Sequence, residues 1–372
     1  MALSDQQKKV LAIVPKPMAI LSMIGSGFII TEVLKDPKKR VMTYHRLLLA
    51  MSCVDILSSF WFFMSTWPIP EDTPDVYAAS GTQGSCTTQG FFIQFNSASP
   101  LLNAGLSVYY LLVMRYKWTE DRLRKTVQPI LLSVPLLWGM GTAFAGLGLD
   151  LYNSANNWCW IAAYPPGCQG DECMRGKDDD DTDMYRWVLF YCPLWFAIFF
   201  ATVVMAIVYW TVARTPDEDF DAAPLGIFWF LKKEEGGETT KIRSRRVAKQ
   251  AFWYLLAFYT TWIFPSIVRA MQAADADIGF RLRLLFTIFA PLQGLLNSLV
   301  YIRPRFSRNR EKNPGISIFQ ALAVKDEQDH QLGAFRMRST IKPAALVAAA
   351  LVEDDDSGQG TMEEERKVDE AA

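Results

Sequence analysis

The chain has 372 residues, 51% of them hydrophobic, with 12 Trp, 24 Phe and a mean hydropathy of +0.09. So much apolar material exceeds what the core of a soluble domain needs, and the chain reads as a membrane protein. The formal net charge of −1 gives no reason to expect a nucleic-acid partner, and in such a chain the distribution of charge between loops tells more than the sum.

Residues 1–13 form a short leading segment. MALSDQQKKVLAIVPKPMAI lacks the small-residue site of a cleaved secretory leader, and Pro15 and Pro17 interrupt its apolar run, so no cleaved leader is expected. A spanning helix needs about 20 mostly apolar residues. Segments 14–34, 43–67, 88–114, 127–149, 186–213, 249–270 and 282–302 qualify. They predict an all-α membrane protein, a seven-transmembrane helix bundle over 14–302. The first span is the weakest, since it leans on Lys16 and Glu32 at its rims.

Lys and Arg stay on the cytoplasmic side of a membrane. One set of loops is basic: Lys35, Lys38, Lys39 and Arg40; Lys117, Arg122, Arg124 and Lys125; Lys232, Lys233, Lys241, Arg243, Arg245 and Arg246; Arg303, Arg305, Arg308 and Arg310. The alternate loops hold EDTPDVY and DDDDTD. The N-terminus is therefore expected outside and the C-terminus inside. In the loop 214–246, LGIFWFL (225–231) reads as an interfacial helix, a partner-docking segment or an extension of span five. The tail 303–372 is acidic and core-poor beyond EKNPG and is expected to be largely disordered. PAALVAAALV within it is too short to span, and FRMRST sets Ser339 after two arginines, a pattern that a basic-directed kinase accepts.

The six cysteines fit no zinc ribbon or finger, and no metal or cofactor is expected. Cys53 and Cys192 lie at apolar positions and read as packing residues. Cys86 before span three and Cys159 in NNWCWI both face the oxidising side, where a bridge would pin the loop over the mouth of the bundle; two free thiols are the alternative. Cys168 and Cys173 could close a second small loop, or bind metal with Asp178–Asp181, although an aspartate run is usually just solvated.

Polar groups inside the spans ask for partners. Asp55 is the one acid within span two, and a structural hydrogen-bonding role competes with a functional one. Asn96 and Asn103 sit seven apart with Pro100 between them as an expected kink, as helix glue or as ligand contacts. In PLQGLLNSLVYIRPRF, Gln293, Asn297 and Tyr301 follow one helical face. That face is expected to meet Asp55 in a polar network that re-pairs when helices move.

Several local motifs are shared with one large family. Asp55 lies in LLLAMSCVDIL, and VMRY ends span three with Arg115 and Tyr116, with Met114 where an Asp-Arg-Tyr motif has its acid. Trp138 falls mid-span four. TTWIFP sets Trp262 and Pro265 like a Cys-Trp-x-Pro motif with one extra residue, and NSLVY keeps the Asn-Pro-x-x-Tyr spacing at Asn297 and Tyr301 with Ser298 replacing the proline. With the outward bridge and basic inner loops, residues 14–310 resemble the G protein-coupled receptors. LQGLLNSLVY and the CWI after Cys159 look closest to the slime-mould cyclic-AMP receptor-like and secretin-like branch from unicellular eukaryotes, without the large secretin-type N-terminal domain.

The resemblance implies a plasma-membrane receptor that transmits an extracellular ligand signal to a heterotrimeric G protein. Arg115 and Tyr116 would line the inner opening, while Trp262, Pro265, Asn297 and Tyr301 carry the rearrangement. Asn96, Asn103, Trp158 and Trp160 are the expected ligand contacts, Arg186, Arg269, Arg281 and Arg283 a basic rim for an anionic one, and anionic membrane lipid a further partner. Span seven has no Lys for a retinal Schiff base. His45 and His330 lie near or beyond the inner face, so catalysis is not expected. A seven-span transporter or channel-like protein using buried Asp55 is the alternative, although neither internal repeats nor paired acids are visible.

Overall fold

The computed structural model describes residues 3–155, 157–165, 167–214, 240–274, 276–312 and 315, with side chains from 246 in the sixth span and to 310 in the last helix. The 225–231 segment, His330, Ser339 and the acidic tail fall outside them. The elements are α1 (Asp5–Ile13), α2 (Pro15–Lys35), α3 (Pro37–Val41), α4 (Thr43–Met64), α5 (Gln83–Phe95), α6 (Ala98–Met114), α7 (Glu120–Thr126) and α8 (Gln128–Gly148). A two-stranded antiparallel hairpin, β1 (Tyr152–Ser154) and β2 (Cys159–Ile161), follows. Then come α9 (Asp179–Arg186), α10 (Cys192–Ala213), α11 (Thr240–Ala273), α12 (Phe280–Phe289) and α13 (Gln293–Lys312). Met1–Arg308 is one compact unit; of the second, Asn309–Ala372, only 309–312 and 315 are described.

Among the described residues, seven helical stretches are long and apolar enough to cross a membrane: α1–α2, α4, α5–α6, α8, α9–α10, the described part of α11, and α12–α13. Their outward faces are greasy, with Phe199 70% and Leu137 69% exposed. A water-soluble bundle would bury such side chains, whereas lipid solvates them. The interior packs Ile29, Leu47, Met51, Leu102, Leu106 and Tyr254. We call the end bearing β1 and β2 the hairpin end, and the end where α3 and α7 lie the arginine end.

Prolines set the details that hydropathy does not. Pro15 and Pro17 occupy the first turn of α2, and helix precedes them from Asp5 behind a Ser4–Gln7 capping box. A first-turn proline loses no intrahelical bond, because those N–H groups have no carbonyl partner. Span three breaks at Asn96 and Ser97, not at Pro100. Pro100 stands in the first turn of α6, and its ring excludes the carbonyl four residues back, that of Asn96. The chain responds with tighter bonds, Ser97 N to Gln94 O (2.9 Å) and Ser99 N to Asn96 O (2.9 Å).

Span five starts earlier than its hydropathy indicates, at Asp179, and passes through a π-turn at Trp187–Tyr191 before Pro193. Pro193 cannot donate to Leu189 O; the Gln94 amide does so instead, at 3.1 Å. Span seven is split by a 3-10 turn at Ala290–Leu292 containing Pro291, and the last helix runs past residue 302 to Lys312. Cys53 and Cys192, expected as packing residues, are exposed free thiols on the bundle's outer surface. Trp138 is likewise partly exposed there.

Spans one and seven cross almost backbone to backbone. A Cβ on Gly294 would lie 2.1 Å from Ser26 Oγ, and one on Gly25 would lie 2.7 Å from Ser298 Oγ. Ser22 Oγ accepts the Gly294 N–H at 3.1 Å and a hydrogen bond from Ser59 Oγ at 3.0 Å, tying α2 to both neighbours. In span four, Gly139 and Gly146 face Phe95 O and the Tyr152 ring inside the bundle, while Gly141 and Gly148 face open space.

Candidate functional site

Midway along the bundle a chain of polar side chains links four spans. Asp55 on α4 is 2% exposed, so its carboxyl group needs partners within the bundle. Ser99 Oγ donates to Asp55 Oδ1 at 3.0 Å and Asn297 Nδ2 to Oδ2 at 3.3 Å, so each carboxyl oxygen has a donor. Ser99 Oγ in turn accepts from Gln293 Nε2 at 2.8 Å, and Gln293 Oε1 accepts from Trp262 Nε1 at 3.2 Å. The order is Trp262, Gln293, Ser99, Asp55, Asn297: spans six, seven, three, two and seven again. Met51 Sδ extends it, accepting from Asn297 at 3.2 Å and from Asn103 at 3.6 Å.

Local backbone places each member. The Pro291 turn ends immediately before Gln293, and the Asn96–Ser97 break immediately precedes the α6 turn that carries Ser99. Trp262, one turn before Pro265 and buried, packs on Phe190 of the π-turn at 5.5 Å. Gln293 and Ser99 therefore lie beside helix irregularities and Trp262 and Asp55 contact residues that do, while Asn297 sits in continuous helix.

The hairpin covers this layer from one end. Cys86 and Cys159 form a disulfide, as do Cys168 and Cys173. Gln89, fully buried, accepts the Cys159 N–H at 2.8 Å and donates to Trp61 O at 2.9 Å and Ser65 O at 2.8 Å, so one amide ties β2 to span two. Gln94 accepts from Trp160 Nε1 at 2.9 Å while capping Leu189 O. Tyr152 fits against Gly90 and Gly146 and donates to Ala143 O at 2.8 Å. Burial pushes its phenol pKa up, so the hydroxyl stays a donor. Asp178 caps α9 by accepting from Asp181 N at 2.9 Å, which gives the aspartate run a helix-starting role.

Of the expected ligand contacts, Trp158 and Trp160 belong to one aromatic cluster. Trp158 is buried between Phe62 (4.9 Å) and Phe286 (5.3 Å), whereas Trp160 lies on Phe190 (5.2 Å) and Tyr191 (6.0 Å). Asn103 belongs with Met51, and Asn96 Oδ1 is buried without a hydrogen-bond partner among the described residues. The rim arginines are also engaged. Arg269, 1% exposed, pairs with Asp183 and lies over the Trp187 ring at 5.2 Å. Arg186 pairs with the same carboxylate at 3.2 Å and donates to Ile161 O at 2.8 Å, and Arg283 donates to Ile278 O at 3.1 Å.

Toward the arginine end a second layer joins spans two and six. The Tyr44 and Tyr254 hydroxyls are 2.9 Å apart, Gln250 Nε2 donates to Tyr44 Oη at 2.8 Å, and Tyr109 and Tyr110 pack around them. Tyr301 lies edge-on to Phe28 and His45. Arg115 closes α6, donates to Thr211 Oγ1 at 3.3 Å, and shares with exposed Tyr116 a groove of about 260 Å³ lined also by Leu111, Ile207, Trp210, Thr211 and Arg214.

Sequence reading did not find Ser99, Met51, Tyr44 or Tyr254. A serine or tyrosine inside an apolar run is ordinary helix content, and only its neighbour across the interface makes it a bridge. The chain matches no protein-family model and no curated protein.

Proposed function

We propose that this protein is a G protein-coupled receptor of the plasma membrane, akin to the cyclic-AMP receptor-like branch. It passes an extracellular ligand signal to a heterotrimeric G protein without catalysing a reaction itself. The observation that carries this reading is the hydrogen-bonded chain Trp262–Gln293–Ser99–Asp55–Asn297, which couples spans two, three, six and seven beside the irregular turns of spans three and seven. Side chains that can exchange partners, at points where the backbone is already broken, suit a bundle with two packings whose populations a ligand shifts.

In this reading the hairpin end faces outside and the arginine end inside, following the loop charges. The ligand acts between the hairpin-end halves of the helices. Arg115 and Tyr116 meet the G protein, and Trp262, Pro265, Asn297 and Tyr301 carry the rearrangement. Ser339, in the cytoplasmic tail, takes phosphate and docks a desensitising partner. A transporter working through Asp55 is less well supported, since both carboxyl oxygens are already engaged and the group is buried.

The test is nucleotide exchange on purified heterotrimeric G proteins by the full chain in lipid nanodiscs, across a ligand library. Stimulated exchange that Arg115→Ala abolishes is the expected result. A folded protein that exchanges no nucleotide with any G protein class, basally or with ligand, overturns the reading.

A further inference from the structure

We propose that the groove between α6 and α10 at the arginine end binds the phosphate-bearing headgroup of an anionic membrane lipid. Leu111 and Ile207 supply apolar lining, and Arg115 and Arg214 bring two guanidinium groups to the same cavity. Among the described residues no carboxylate lines it and neither arginine has an acidic partner. Arg115 contacts the Thr211 hydroxyl and lies 6.0 Å from the Tyr116 ring, and Arg214 lies 5.9 Å from the Trp210 ring. Four other basic groups in the same end are neutralised: Lys39 and Arg305 by Glu32, Arg124 and Lys125 by Asp121. Two guanidinium groups around one cavity attract an anion that accepts several charge-assisted hydrogen bonds, for which a phosphate is the best geometric match.

The surroundings distinguish a lipid from a free phosphate. On α10, Phe196, Phe199, Val203 and Trp210 are all exposed, spaced three, four and seven residues apart, so an apolar track runs along the outward face to the groove. Trp210 is 60% and Tyr116 58% exposed, and rings of this amphipathic kind settle at headgroup depth. An acyl chain along the track would bring its phosphate to Arg115 and Arg214. A soluble anion would use only the arginines. The proposal rests on the orientation given above, because anionic lipid is concentrated in the cytoplasmic leaflet.

The test measures binding alone, so that it stands apart from coupling. The full chain, in nanodiscs of phosphatidylcholine doped with a phosphatidylinositol phosphate carrying a photoreactive acyl chain, is cross-linked, mapped, and examined by native mass spectrometry for retained lipid. We expect the anionic lipid to be retained over phosphatidylcholine and the cross-links to map to residues 196–214. Arg214→Gln should lower retention about five-fold, Arg214→Lys should keep most of it, and Arg124→Gln, a surface arginine already paired, should change nothing. The acyl-free inositol phosphate headgroup should compete only at far higher concentration. If Arg214→Gln behaves like Arg124→Gln, or cross-links map elsewhere, the site is refuted. If the soluble headgroup competes as well as the lipid, the occupant is a free anion and the lipid assignment is wrong. Loss of nucleotide exchange with lipid binding intact would count against the receptor reading and leave this one standing.

Discussion

Asp55 is buried, and its two oxygens are met by Ser99 and Asn297. Removing the hydroxyl by Ser99→Ala leaves Asp55 Oδ1 and Gln293 Nε2 without their common partner, a loss of about 1–3 kcal/mol that a thermal or denaturant titration in detergent should register. Asn297→Leu and Asp55→Asn should each leave a folded protein with altered basal exchange, and in a double-mutant cycle on stability their effects should fail to add by about 0.5–3 kcal/mol. Strict additivity would reduce the contact to packing. The sequence alone pointed to the Asp55, Gln293 and Asn297 meeting because a carboxyl or amide in an apolar run must find something polar. Ser99 was invisible for the opposite reason: a helical serine can satisfy itself on its own backbone, as Ser107 does on Ala104 O.

Individual elements are held by contacts of different legibility. The spans themselves were readable, since runs of apolar residues have few other uses. Their breaks were not, because a proline acts on the carbonyl four residues before it, and whether that carbonyl is rescued depends on a side chain from another element, as Gln94 rescues Leu189. The span one to seven crossing gives a sharp test. Gly294→Ala places a methyl against Ser26 Oγ and Ser22 O and should destabilise by about 1–3 kcal/mol, with partial rescue by Ser26→Ala, while Gly27→Ala, which meets nothing within 4 Å, should be near neutral. A thermal-shift series compares them directly. For the hairpin, Cys86→Ala removes the bridge to Cys159. Surface expression should fall, and non-reducing peptide mapping of the parent protein should recover the two cysteines as one linked peptide. The pairing was legible because the loop charges put both at one end of the bundle, Cys86 at the start of span three and Cys159 between spans four and five, but Gln89, which holds the same strand by hydrogen bonds, was not distinguishable from any other buried amide.

For the molecule as a whole, the loop charges set the proposed orientation. A glycosylation acceptor inserted near Asp178 should be modified in cells and one near Glu234 should not; the reverse pattern would remove the receptor reading together with the orientation. The discontinuities of spans three, five and seven also have a joint consequence. The break at Asn96–Ser97, the π-turn at Trp187–Tyr191 and the turn at Ala290–Leu292 are neighbours, joined through Gln94 to Leu189, Trp262 to Phe190 and Gln293, and Gln293 to Ser99. In mechanical terms spans three, five and seven are jointed rods whose joints lie side by side, set among spans two, four and six that run unbroken. One side of the joints is clamped by the Cys86–Cys159 cystine and the other by the tyrosine layer. In the proposed receptor a small torque on the clamped side would be taken up at these joints as bending and would reappear beyond them as displacement of the rod ends, with the lever arm set by the length of helix beyond each break.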